Sequence, residues 1–85
     1  MPMQVQVKYF AAIREALGTS GERVQTQATT LSGLRDELIA RGEAYAQALA
    51  RGKAVRVALN QVMQDESAAL TDGCEVAFFP PVTGG

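Results

Sequence analysis

An 85-residue chain with 47% apolar and 20% charged residues builds a single core, which excludes a separate catalytic and regulatory half and a disordered chain. Eight Lys and Arg against nine Asp and Glu leave a net charge of −1, so no basic field exists to hold a nucleic-acid backbone, and the local cluster of Arg51, Lys53 and Arg56 reads as a solvated rim. Histidine is absent and Cys74 is the only cysteine, which removes disulfides, zinc sites of thiolate or imidazole ligands, and every triad with a histidine base. The longest apolar run, Tyr9 to Ile13, is far short of the roughly 20 residues of a spanning helix, and no basic-then-apolar leader opens the sequence. A soluble, cytoplasmic protein without membrane or nucleic-acid partners is expected. It is a binding module, a structural subunit, or a protein whose own chain is the reactant.

Val5, Val7 and Tyr9 alternate with Gln4, Gln6 and Lys8, which predicts a half-buried strand from Met3 to Phe10. The period then changes: Ile13 and Leu17 lie four apart, and Gly18 stands where a short helix over Ala11–Leu17 would end. Gly18 to Gly21 reads as a turn, and Arg23 to Gln27 as an edge strand. Thr30 is placed as an N-cap for the main helix, in which Leu31, Leu34 and Leu38 follow at helical spacing, with Gly42 expected to close it in the left-handed conformation. The Ala-rich stretch Glu43 to Ala50 extends as a further helical turn. Val55, Val57 and Leu59 form a third long strand, and Asn60-Gln61 turns it into a short strand over Val62–Gln64 with Val62 buried. Asp65 to Ala69 is a loop, and Thr71-Asp72-Gly73 turns into a last strand, Cys74 to Phe79, with Val76 and Phe78 on one face. Strand, helix, strand, helix and three strands make an α+β fold, a mixed sheet clasping one principal helix.

Pro80-Pro81 stops that last strand, because proline has no amide hydrogen and a fixed φ. The segment Pro80-Pro81-Val82-Thr83-Gly84-Gly85 is therefore expected to leave the body as an extended tail of roughly 20 Å, at about 3.1 to 3.4 Å per residue. Without Cβ atoms, Gly84 and Gly85 can thread a channel too narrow for any side chain, leaving the terminal carboxyl carbon open to attack. A carboxylate is a poor electrophile and must first be activated, as in an acyl-adenylate, by machinery that belongs to a partner.

The stretch Leu70 to Gly85, ending Phe-Phe-Pro-Pro-Val-Thr-Gly-Gly, closely resembles the end of the small subunits of molybdopterin synthase. Val7-Lys8-Tyr9-Phe10-Ala11 with Arg14-Glu15, Leu34-Arg35 and Leu59-Asn60-Gln61 extend the resemblance over most of the chain, and Glu43 to Ala54 is its weakest part. The resemblance implies a ubiquitin-like β-grasp domain over residues 1–79 with the tail over 80–85. It also implies a sulfur carrier: an E1-like adenylyltransferase uses ATP and Mg²⁺ to activate Gly85, and a persulfide sulfur donor converts it to a thiocarboxylate. The chain itself binds no cofactor and no metal. The charged tail would then enter the large subunit, in a heterotetramer of two small and two large subunits, where sulfur passes to cyclic pyranopterin monophosphate. Carriers of another pathway, such as thiamine, share the fold and the Gly-Gly end, and a non-reactive ubiquitin-like binding module is the rival from another class.

Alternation independently places Phe10 in register with Gln6 and Lys8, and Phe79 in register with Glu75 and Ala77, on the face that should be wet. Met63 points the same way, so Phe10, Met63 and Phe79 form an exposed apolar patch beside the tail's root, and such patches mark partners. The resemblance places these three, with Pro80, Pro81, Val82 and Thr83, in contact with the large subunit and the adenylating enzyme. Cys74 reads as a buried, inert thiol. Gly52-Lys53-Ala54 lacks the spacing of a phosphate loop, and Asp65-Glu66 reads as solvent-exposed rather than metal-binding.

Overall fold

In the computed structural model, which describes residues 3–80, the alternating Val5, Val7 and Tyr9 form the inward face of strand β1 (Met3–Tyr9). After it come α1 (Ala11–Leu17), β2 (Gly21–Thr26), α2 (Leu31–Ile39), α3 (Glu43–Ala48), β3 (Arg56–Leu59), β4 (Val62–Gln64) and β5 (Glu75–Phe79). The strands make one sheet in the order β2-β1-β5-β3-β4. β1 and β5 run parallel at its centre, and the other three pairings are antiparallel. Leu31, Leu34 and Leu38 of α2 join Val5, Val7, Val57, Val76 and Phe78 in one core. A mixed sheet closed over one main helix is the ubiquitin-like β-grasp fold.

The local signals act as their chemistry dictates. Gly18 takes φ of 73° and donates its N–H to the Arg14 carbonyl, ending α1. Thr30 accepts at its hydroxyl from the Gly33 N–H, 3.1 Å away, and so starts α2. Asn60 and Gln61 both have positive φ, the geometry of a two-residue hairpin turn. The Asn60 side-chain oxygen also accepts from the Glu75 N–H at 2.9 Å, clasping the start of β5.

Two expectations need correction. Gly42 does not close α2, which ends at Ile39 with Ala40 in the ordinary right-handed conformation. Instead Gly42 is extended, with φ of 165°, and its carbonyl accepts from the Ala46 N–H as the N-cap of α3. The two helices follow each other so closely that the glycine belongs to the second. Val62 faces inward by register with Leu59 but is 57% exposed, because β4 is the sheet edge and the helices do not reach over it. Among the described residues no helix is long and apolar enough to cross a membrane.

Candidate functional site

β5 is the strand that leads to Pro80, and it is hydrogen-bonded on both sides, to β1 and to β3. The β1 ladder continues one residue further, through the Phe10 N–H to the Phe78 carbonyl at 3.2 Å. Phe79 and Pro80 are therefore anchored to the middle of the sheet rather than to an edge. Pro81, Val82, Thr83, Gly84 and Gly85, the remainder of the expected tail, lie outside the described residues.

Around this root the face of the sheet turned away from α2 is apolar. The Phe10 and Phe79 rings stack with centroids 4.7 Å apart and planes 10° from parallel. Neither belongs to the core: Phe10 is 40% exposed, and Phe79 is half-buried by the stack. Ala77 pairs with Ala58, and Ala58 pairs with Met63, so one row of this face reads Ala77, Ala58, Met63 across three strands. Both alanines are almost covered by larger neighbours, whereas Met63 is 53% exposed. The structure thus brings Phe10, Phe79 and Met63 onto one face, joined by the two alanines. Lys8 and Glu75 form an ion pair of 3.3 Å on the same face.

On the helix side of the sheet, Pro80 is among the residues lining a groove of about 670 Å³ between α1 and α3. Ala12, Ala16, Ala48 and Ala54 line it, and Lys53 is its only charged lining residue. The wall from Leu49 to Lys53 is fixed by Arg35, a guanidinium buried on α2 with 2% exposure. Its Nε donates to the Leu49 carbonyl at 2.8 Å, and its Nη2 donates to the carbonyls of Ala50 and Lys53. Nη1 pairs with Glu66 at 2.7 Å. Sequence periodicity marks Arg35 only as a residue following Leu34. A cation that satisfies the carbonyls at a helix's C-terminal end leaves no pattern in the chain.

Arg51 and Glu66 also depart from expectation. Arg51 is not a free rim cation: it donates to Asp36, Glu66 and the Ser32 carbonyl. Glu66 is half-buried and engaged by both arginines, while Asp65 beside it is exposed. A second cluster tightens the C-terminal end of β1 on its inward face, where Tyr9, Tyr45 and Arg41 all donate to the Glu22 carboxylate at 2.8 Å. Burial disfavours ionisation of Glu22, but the three hydrogen bonds outweigh it and hold its carboxyl below the ordinary value of 4.5. Burial, together with the Glu22 contact, pushes the Tyr9 phenol well above its ordinary range. Cys74 is buried in the core.

The model of the ThiS family matches residues 7–85. The molybdopterin synthase sulfur carrier subunit of Escherichia coli K12 is 43% identical over 81 residues, covering 95% of this chain and 99% of that one. Among solved structures, the HVO 2177 protein of Haloferax volcanii superposes with a TM-score of 0.79 at 28% identity, over 99% of this chain and 88% of that one. In the complex of subunits 1 and 2 of the molybdopterin-converting factor of Helicobacter pylori 26695, a chain 31% identical matches with a TM-score of 0.64, over 98% of this chain and all of that one.

Proposed function

The chain belongs to the ThiS family, and from that membership we propose that it is the sulfur-carrying small subunit of a molybdopterin synthase, with the α-carboxyl of Gly85 as the reacting group. The observation that carries this reading is a strand pinned at the centre of the sheet, ending at Phe79 in an open apolar patch, in a chain that continues Pro-Pro-Val-Thr-Gly-Gly. A strand bonded on both sides is a rigid base for a side-chain-poor lead into another protein's cavity, and the patch around its root is where that protein would seat. Subunit 2 in the Helicobacter pylori complex is the kind of large partner this requires.

The chemistry lies in a partner's hands. An E1-like adenylyltransferase, with ATP and Mg²⁺, converts the Gly85 carboxylate to an acyl-adenylate with loss of pyrophosphate, the terminal sulfur of a persulfide donor displaces AMP to form an acyl disulfide, and a thiol reductant cleaves its S–S bond, leaving the thiocarboxylate on Gly85 and a disulfide on the donor side. The large subunit, two copies with two of this chain, then directs that sulfur onto cyclic pyranopterin monophosphate as the dithiolene of molybdopterin forms. The chain's own contribution is delivery: Phe10, Met63, Phe79 and Pro80 seat the body, Pro81, Val82 and Thr83 space the terminus, and Gly84 and Gly85 enter. A chain activated by an ATP-dependent enzyme would work in the cytoplasm.

Intact-mass measurement after incubation with the adenylating enzyme, MgATP, a persulfide donor and a thiol reductant tests this. The expected result is the increment for sulfur replacing oxygen at Gly85, followed by its loss when large subunit and pterin substrate are added. An unchanged mass would leave a non-reactive binding module, and a thiocarboxylate that never discharges onto the pterin would leave a carrier for another pathway.

A further inference from the structure

The groove between α1 and α3 lies on the helix side of the sheet, away from the patch of Phe10, Met63 and Phe79. Of the residues that line it, Ile13 and Ala48 are buried, whereas Ala12, Ala16 and Ala54 are exposed. Alanine side chains are too short to fill the space between two helices, so an apolar surface stays open to water. Lys53 is the one charged residue of the lining, and among the described residues no carboxylate lines the groove. Lys53 is exposed and forms no ion pair among the described residues.

The occupant is indicated by where β5 ends. Arg56, the first residue of β3, pairs with Phe79, and the Phe10 N–H bonds to the Phe78 carbonyl. Residues 53–55 on one side and Phe10 to Ala12 on the other therefore flank the exit from the strand, and Pro80 already belongs to the groove lining. The sequence continues for five more residues, Pro81-Val82-Thr83-Gly84-Gly85, a reach of roughly 16 Å when extended at about 3.3 Å each. None of their side chains is charged, so with Gly85 as the terminus, as the small-subunit assignment has it, their single charge is the α-carboxylate. One branched apolar side chain, two residues without side chains and one anion answer an apolar groove with one cation.

We propose that in the free protein this groove is the resting place of the chain's own tail, with Val82 against Ala12, Ala16 and Ala54 and the Gly85 carboxylate paired with Lys53. The contact is small, one branched side chain and one solvated ion pair, so the tail leaves readily when a partner competes for it. Resting on the helix side keeps the carboxylate off the Phe10–Phe79 face, which stays clear for the partner's body.

Nuclear magnetic resonance of the full-length chain tests the proposal. Nuclear Overhauser contacts are expected between the Val82 methyls and those of Ala12, Ala16 and Ala54, unchanged on tenfold dilution. The Gly85 carboxyl should titrate about half a pH unit below an ordinary chain terminus, and Lys53→Gln should return it to the ordinary value. Arg56→Gln, on the Phe79 face, should leave that titration as it is in the unchanged protein. Ala16→Leu, which fills the groove from an exposed position, should remove the Val82 contacts, while the amide signals of β1 and β5 report that the fold is retained. Absence of the Val82 contacts in the unchanged chain would overturn the proposal, as would a Gly85 titration indifferent to Lys53→Gln. Contacts that vanish on dilution would assign the groove to the tail of a second copy and overturn it too. Each of these results leaves the sulfur-carrier assignment standing, because no activation of Gly85 enters the measurement; a chain that never forms the thiocarboxylate would fail that assignment with the Val82 contacts unmoved.

Discussion

Phe10 and Phe79 come from opposite ends of the chain, yet their rings stack at 4.7 Å because β1 and β5 run parallel and end side by side. The stack gives the end of β5 a flat apolar shoulder that the core does not use. Phe79→Asp should weaken binding of the large subunit roughly 30-fold, about 2 kcal/mol, the scale of an aromatic anchor at an interface. Titration calorimetry measures it. Thermal stability should change by no more than about 1 kcal/mol, the worth of the lost stacking, and unchanged affinity would remove the patch from the proposed interface.

Deleting Gly85, or adding a residue after it, should abolish sulfur transfer in a reconstituted assay while leaving the melting temperature unchanged, since the last strand ends at Phe79. Residual transfer by either variant would contradict a role for the terminal carboxyl.

Arg35→Met should cost about 3 kcal/mol in urea unfolding. The apolar substitute matches the stem of the side chain but leaves the carbonyls of Leu49, Ala50 and Lys53 without their donor, and Glu66 without one of its two cations. Glu66→Gln alone should cost less. The double variant should lose less than the sum, because both changes act on one network.

Glu22 gives a pH dependence of known sign. Its carboxyl is held below the ordinary value of 4.5 in the folded chain, so its contribution is fully present above that value and is lost as pH falls through the lower, folded one. Urea unfolding of Glu22→Gln should therefore show lower stability at neutral pH and a gentler decline toward about pH 3 than the unchanged chain. Parallel curves for the two proteins would exclude Glu22 as the acid-sensitive group. Tyr9 and Tyr45 donate to the same carboxylate oxygen and would keep it in the amide, whereas Arg41 would lose its acceptor together with the charge.

Strands and helices were legible wherever one periodic face had to be buried. The alternation of Val5, Val7 and Tyr9, the spacing of Leu31, Leu34 and Leu38, and the positive-φ turn at Asn60-Gln61 each follow from local geometry that any observer of the chain can count. Boundaries governed by a neighbour were not legible. Gly42 has the chemistry to end a helix, but the immediate start of α3 makes it an N-cap instead. Val62 has the residue type of a buried strand position, but no helix covers it at the sheet edge.

The sequence by itself determined the fold class and pointed to the proposed reacting end: a period of two, a period of 3.6, prolines that cannot extend a ladder, and terminal glycines that carry no side chain. The tertiary structure alone decided which charges were spent and which were left over. Arg51 and Arg56 look alike along the chain, yet folding binds the first to Asp36 and Glu66 and leaves the second solvated beside Phe79. Ion pairs join residues far apart in sequence, and their distances do not exist until the sheet has closed over its helix.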